Sequence, residues 1–215
     1  MNNMSKSINK VIKTLIASDI ALSGGWGLLG PVFAIFIVKN VAVSGIAQAA
    51  EVAGFSSLTY WVVKSCLQIP IGKYLDKNHG EQDDFWFMFA GTFLNAFVPF
   101  GYMISSEPWH IYAFQVLHAV AMAMAIPSWA AIFTRHIDKG DEAYEWSVRS
   151  TSLGFAAGIA GAAGGIMVAL FGFKVVFILV GGLTFISAFL LLAIRNDIAP
   201  HDKVLPRVPR SRLPF

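Results

Sequence analysis

The chain has one cysteine, few charges and none of the common catalytic motifs, and each of these absences narrows its function. Cys66 is the single cysteine among 215 residues, so no intrachain disulfide framework and no cysteine-based metal cluster can form. Charged residues make up 13% of the chain, about half of the roughly 25% usual in a soluble domain. The sequence has no Gly-Lys-Ser/Thr phosphate loop, no metal-ligand spacing and no nucleophilic triad with a supporting motif. A primary ATP-driven pump and a membrane hydrolase are therefore unsupported, and no cofactor or metal is expected. The net charge of +3 does not gather into a groove-binding patch, which argues against nucleic acid as a partner.

What the chain has is apolar length. It is 56% hydrophobic, with a mean hydropathy of +0.61. Six apolar segments predict helices at about 11–38, 52–75, 85–105, 109–135, 143–170 and 174–194. A hydrocarbon core ~30 Å thick is crossed by ~20 helical residues, so the expected class is an all-α membrane protein. Barrel strands would be shorter and would alternate in polarity. The linkers are short, as between antiparallel neighbours in a bundle. Residues 1–195 form the expected bundle, and 196–215, with Pro200, Pro206, Pro209 and Pro214, form a basic, extended tail.

Lys6, Lys10 and Lys13 precede the first run, and Ala47-Gln48-Ala49 has the small-x-small form of a cleavage site. The run from Thr14 to Val38 exceeds the ~7–15 residues of a signal h-region, so it is expected to stay as the first helix. Basic residues assign the sides. Lys6, Lys10, Lys13, Lys73, Lys77, Arg135, Lys139, Arg149, Arg195, Lys203, Arg207, Arg210 and Arg212 fall on one side, against Lys39 and Lys174 on the other. The positive-inside rule then puts both termini in the cytoplasm, with a bacterial-type plasma (inner) membrane as the expected location. Trp86, Trp109 and Trp146 fall near helix ends, where indole rings favour the interface.

Several polar residues lie inside the spans. Lys64 is near the middle of the second segment, where a charge costs about 2.5–3.5 kcal/mol on insertion scales. Such residues usually face a cavity or a partner. Tyr60, Lys64 and Gln68 are spaced by four and form one stripe. Asp19, Ser23 and Trp26 share a face of the first segment, and Asp19 is expected to pair with Lys64 across a cavity. Gln115 and His118 share a face of the fourth segment, and a histidine that titrates near neutrality suits proton coupling. Asn95 is expected to hydrogen-bond between helices. Asp19, Ser23, Trp26, Tyr60, Lys64, Gln68, Gln115 and His118 are the candidate substrate and ion-coupling set. Gly154, Gly158, Gly161 and Gly165 recur at i, i+4, i+7 and i+11. That single glycine face allows close helix packing in lipid, either within the bundle or against a second bundle.

Four stretches together resemble the major facilitator superfamily of membrane transporters. Gly72-Lys73-Tyr74-Leu75-Asp76-Lys77 is similar to that family's charged loop signature, although Gly80 arrives one residue late and Glu81 replaces a basic pair. Gln115-Val116-Leu117-His118-Ala119 stands where the family often has Arg-x-x-Gln-Gly; the Arg tied to proton coupling in many members is missing. Ala160-Gly161-Ala162-Ala163-Gly164-Gly165 resembles an antiporter signature without its Pro. Phe171-Gly172-Phe173-Lys174-Val175-Val176-Phe177 resembles the turn into the sixth helix.

The resemblance implies one six-helix half of a twelve-helix transporter, a secondary carrier of a small solute by alternating access. An even number of spans leaves both termini on one side, so two identical copies inserted alike repeat the relation between the family's two halves. The expected partners are a second copy, a small-molecule substrate, protons and the lipid bilayer. The resemblance also implies that helices 1 and 4 line the cavity and that helix 2 meets helix 5 of the other half. Gly72, Asp76 and Lys77 would then form a latch, with Asp76 at the start of the partner's helix 5 and Arg149 placed to add an ion pair. Two other readings stay open: a non-transporting membrane scaffold, favoured by the missing Arg, and one half of a split or longer transporter.

Overall fold

The computed structural model describes residues 8–41, 45–78 and 80–198. Among these the chain is helical, without strands: α1 (Lys10–Asn40), α2 (Ile46–Asn78), α3 (Glu81–Asn95), α4 (Val98–Met103), α5 (Pro108–His136), α6 (Glu142–Phe171) and α7 (Phe173–Leu191), with a final 3₁₀ turn (Leu192–Ile194). Most of the expected tail, 199–215, lies outside the described residues, as do Lys6, Lys203, Arg207, Arg210 and Arg212.

Local chemistry sets the helix ends. Asn9 caps α1 by accepting the Ile12 N–H at 2.9 Å, which satisfies one of the donors a helix start leaves open. Pro108 opens α5, where its missing N–H has no helical partner to lose. Gly172 alone separates α6 from α7, with φ +80° and ψ 174°, a conformation essentially restricted to glycine.

The third expected segment, 85–105, is not one helix. It breaks at Ala96–Phe97, between α3 and α4. Pro99 explains the break: it has no N–H to donate to the carbonyl of Asn95, and its ring would clash there. Four helices are long and apolar enough to cross a membrane: Lys10–Asn40, Pro108–His136, Glu142–Phe171 and Phe173–Ile194. α2 has the length, at 33 residues, but its polar stripe dilutes its hydropathy. The charged signature Gly72–Lys77 is not in a loop, since α2 continues through it to Asn78.

α1 is central and packs along α6 and α7, while α5 packs against α2 and α3. Two apolar clusters hold these contacts. One is built around Leu28, Phe36, Tyr102 and Phe177, the other around Ile12, Phe85, Phe133 and Leu191. Small residues set the closest approaches. A methyl group at Gly164 of α6 would fall 2.0 Å from the Leu28 carbonyl oxygen of α1, and one at Gly91 of α3 would fall 2.4 Å from the Ala121 carbonyl oxygen of α5. With little hydrophobic drive between helices in lipid, such contacts depend on van der Waals packing.

Candidate functional site

Among the described residues, two cavities between the helices take up most of the candidate polar residues. The smaller, about 210 Å³, has walls from α1, α2, α4 and α5. The Trp26 and His118 rings stack in it at 4.1 Å between centroids, 14° from parallel. Tyr60 closes on His118 from α2 at 4.6 Å, and Gln115 and Tyr102 complete the lining. All but Tyr102 come from the middle stretches of long helices.

Lys64 sits beside this cavity and is 8% exposed. Its Nζ lies 4.3 Å from the Trp61 ring centroid and 5.7 Å from that of Tyr60. A cation over aromatic faces gains about 0.5–2 kcal/mol, more as water is excluded. Lys64 has no ion-pair partner among the described residues.

The larger cavity, about 400 Å³, is lined by α1, α3, α5, α6 and α7. On one wall the Asp19 Oδ2 accepts from the Arg149 Nε at 2.8 Å. The Arg149 guanidinium lies 4.1 Å from the Trp129 ring centroid and 5.7 Å from that of Trp146. Ser18 bonds across to Ser187 of α7, hydroxyl to hydroxyl at 2.8 Å. Ser23 lines the same space.

Several expectations are therefore corrected. Asp19 pairs with Arg149 on α6, not with Lys64, because α1 packs along α6 and α7 far more than along α2. Trp26 and Asp19 share a face of α1 but line different cavities, since seven residues separate them by ~10 Å along the axis. Gln68 lines neither cavity. Arg149 is already bound to Asp19, so it is not available as the ion-pair partner of Asp76. Gly72, Asp76 and Lys77 lie together near the end of α2, with open space around Gly72. Trp146 belongs to the Arg149 cluster as well as to a helix end. The Asn95 amide is buried and finds no hydrogen-bond partner among the described residues, where an interhelical bond was expected.

The glycine face is also divided. A methyl group at Gly154, Gly158 or Gly165 would meet nothing within 4 Å, and one at Gly161 would touch Pro31 and Gly27 only at ordinary distances. The tight contact with α1 belongs to Gly164, one flank away. Phe155 and Ile159, beside the open glycines, are each 68% exposed. On α2, Phe55, Leu58, Trp61 and Ile69 are also exposed.

Two further features were missed from sequence. Asp84, fully buried at the start of α3, pairs with Arg135 at the end of α5, and His136 lies 3.7 Å from Glu81. The acidic run Glu81-Gln82-Asp83-Asp84 and the basic pair Arg135-His136 end neighbouring segments on one side, and that was the available signal. Trp129, the main platform for Arg149, carried no signal beyond its position in α5. No group of three or more His, Cys, Asp or Glu side chains among the described residues is positioned to hold a metal.

The sequence matches the family model of the Major Facilitator Superfamily over residues 15–215. The fold is similar to that of the POT family transporter PepTSo, in an in meso crystal structure, with a TM-score of 0.73 at 13% identity. That likeness covers 94% of this chain and 39% of the transporter's, so the chain spans well under half of that protein's length. No curated protein gives a significant match. An all-helical bundle with four membrane-length apolar helices and a family match over nearly its whole length is an integral membrane protein, and the chain belongs to the major facilitator superfamily.

Proposed function

We propose that this chain is a six-span unit of a secondary transporter that moves a small solute by alternating access, with two copies forming one carrier. The observation that carries the reading is the cluster of Trp26, Tyr60, Lys64, Gln115 and His118, drawn from the middle of α1, α2 and α5 around one cavity. Charged and polar groups at membrane depth are costly and mark solute or ion pathways. Carriers of this architecture bind near the midplane, between units that rock against each other. The Asp19–Arg149 pair is the second polar element. It ties α1 to α6 within one unit, and it is suited to open and reform as the solute or a proton exchanges with it.

The two-copy reading is supported by the uncovered faces. α2 and α6 expose apolar side chains, and α6 exposes three glycines beside them. A shallow groove along Thr151, Gly154, Phe155, Gly158 and Ile159 is shaped for close approach by another helix. In that arrangement Asp76, at the end of α2, faces the start of the partner's α6, where a carboxylate is favoured by about 0.3–1 kcal/mol. Both termini are assigned to the cytoplasm by the distribution of Lys and Arg.

A second reading is favoured by the 39% coverage of the similar transporter: the complementary unit is a different polypeptide or a further stretch of the same one. Counterflow in proteoliposomes holding only this chain separates the two. Uptake of a radiolabelled solute driven by the same solute inside requires a complete carrier. A panel of small anionic, neutral and cationic solutes that shows no counterflow contradicts the two-copy reading.

A further inference from the structure

The smaller cavity is lined mainly by aromatic rings and by neutral polar groups. Trp26 and Tyr102 line it, and their indole N–H and phenol are sealed in the wall without a hydrogen-bond partner among the described residues. The indole can only donate, and the phenol can donate. Lys64, 92% buried by its 8% exposure, holds a third donor against Tyr60 and Trp61, both of which line the wall. No Asp or Glu lines the cavity. A buried ammonium with no carboxylate opposite is costly until an acceptor arrives. Rings make up most of the wall, with the Trp26–His118 stack facing Tyr60, beside Leu29, Ser57 and Gln115. The volume of about 210 Å³ is below the roughly 300–1,000 Å³ of pockets for drug-sized ligands, so the occupant is one ring in size.

We infer that this cavity binds a small aromatic monocarboxylate, with its ring against the Trp26–His118 stack and its carboxylate taken by the Lys64 ammonium beside Tyr60 and Trp61. The inference rests on the carrier reading above and gives that carrier its substrate class. A cationic solute would be drawn to the rings, but the Lys64 ammonium already occupies the faces of Trp61 and Tyr60, and like charge disfavours a second cation. A neutral solute would leave Lys64 uncompensated.

The test uses the full chain in lipid nanodiscs, with radiolabelled benzoate read by scintillation proximity. Saturable binding is expected, displaced by unlabelled benzoate, weakly by benzamide and not by benzylamine. Lys64→Gln should weaken it roughly tenfold or more, the size of one charge-assisted hydrogen bond. The variant should keep the elution volume of the parent. Absence of saturable benzoate binding overturns the inference, as does displacement by benzylamine equal to that by benzoate, or unchanged affinity in Lys64→Gln. Benzoate binding without counterflow would keep the site and contradict the carrier reading. Counterflow of a cation, indifferent to Lys64→Gln, would keep the carrier and contradict the site.

Discussion

Asp19 and Arg149 are 130 residues apart in sequence and 2.8 Å apart in the fold. Their pairing joins α1 to α6, and Trp129 of α5 supports the guanidinium at 4.1 Å. Removing one member of a buried pair leaves the other uncompensated, at about 3–5 kcal/mol. Arg149 keeps 25% of its side-chain surface exposed, which puts the cost at the lower end. Asp19→Asn alone and Arg149→Met alone should each lower the thermal midpoint, and the double substitution should recover most of the loss. Flux should be lost in all three. A double variant with full flux would show that the pair only holds the fold.

Lys64 makes the opposite prediction. A buried ammonium without a carboxylate among the described residues destabilises the bundle by about 2.5–3.5 kcal/mol on insertion scales, less what the Trp61 and Tyr60 faces return. Lys64→Met should therefore raise the thermal midpoint while counterflow is lost. A non-transporting scaffold would gain the stability and lose nothing. The two measurements on one variant thus separate the carrier from the scaffold.

The glycines of α6 should fall into two classes. At Gly164 an added methyl group would lie 2.0 Å from the Leu28 carbonyl oxygen, so Gly164→Ala should push α1 and α6 apart and lower the thermal midpoint, in the ~1–3 kcal/mol range of overpacked sites. Gly158 has open space around it. Gly158→Leu should leave the single unit's midpoint within ~0.5 kcal/mol of the parent, as for surface changes, yet reduce the two-copy fraction in nanodiscs. Equal effects of both substitutions on the single unit would contradict this division.

How much of this was legible from sequence depends on the kind of information each feature needs. Apolar length and short linkers marked the long helices, because the bilayer imposes a length that composition reveals. The glycine spacing identified a face of α6 but not its neighbour; the flank that meets α1 carries Gly164, and only packing shows that. Periodicity likewise placed Asp19 and Lys64 on definite helix faces. It did not reveal that Asp19 turns to α6, since the rotation of one helix against another is a tertiary property. The break at Ala96–Phe97 had a local cause in Pro99, overridden by the apolar run around it. Arg135 served only to assign a side and Asp84 drew no reading, because each lies at the edge of an apolar segment; Asp84 is nonetheless fully buried.

Asp76 tests the proposed latch. Asp76→Asn removes the charge that would face the partner's α6 start, at about 0.3–1 kcal/mol, enough to shift a balanced two-state equilibrium by roughly two- to fivefold. The proposed latch holds the outward-open state, so in this variant single cysteines placed on the two ends of the cavity, in a background without Cys66, should react faster with impermeant probes from the cytoplasmic end and slower from the other. Unchanged reactivity at both ends would remove Asp76 from the latch.

The most direct test of the two-copy account is the mass of the wild-type protein in lipid nanodiscs, by native mass spectrometry at several protein-to-lipid ratios. The account predicts a species of two chains that persists as the protein is diluted in lipid, because the exposed faces of α2 and α6 are covered by the second copy. A single chain at every ratio would contradict it, and would leave the cavity open on the side where a carrier must close.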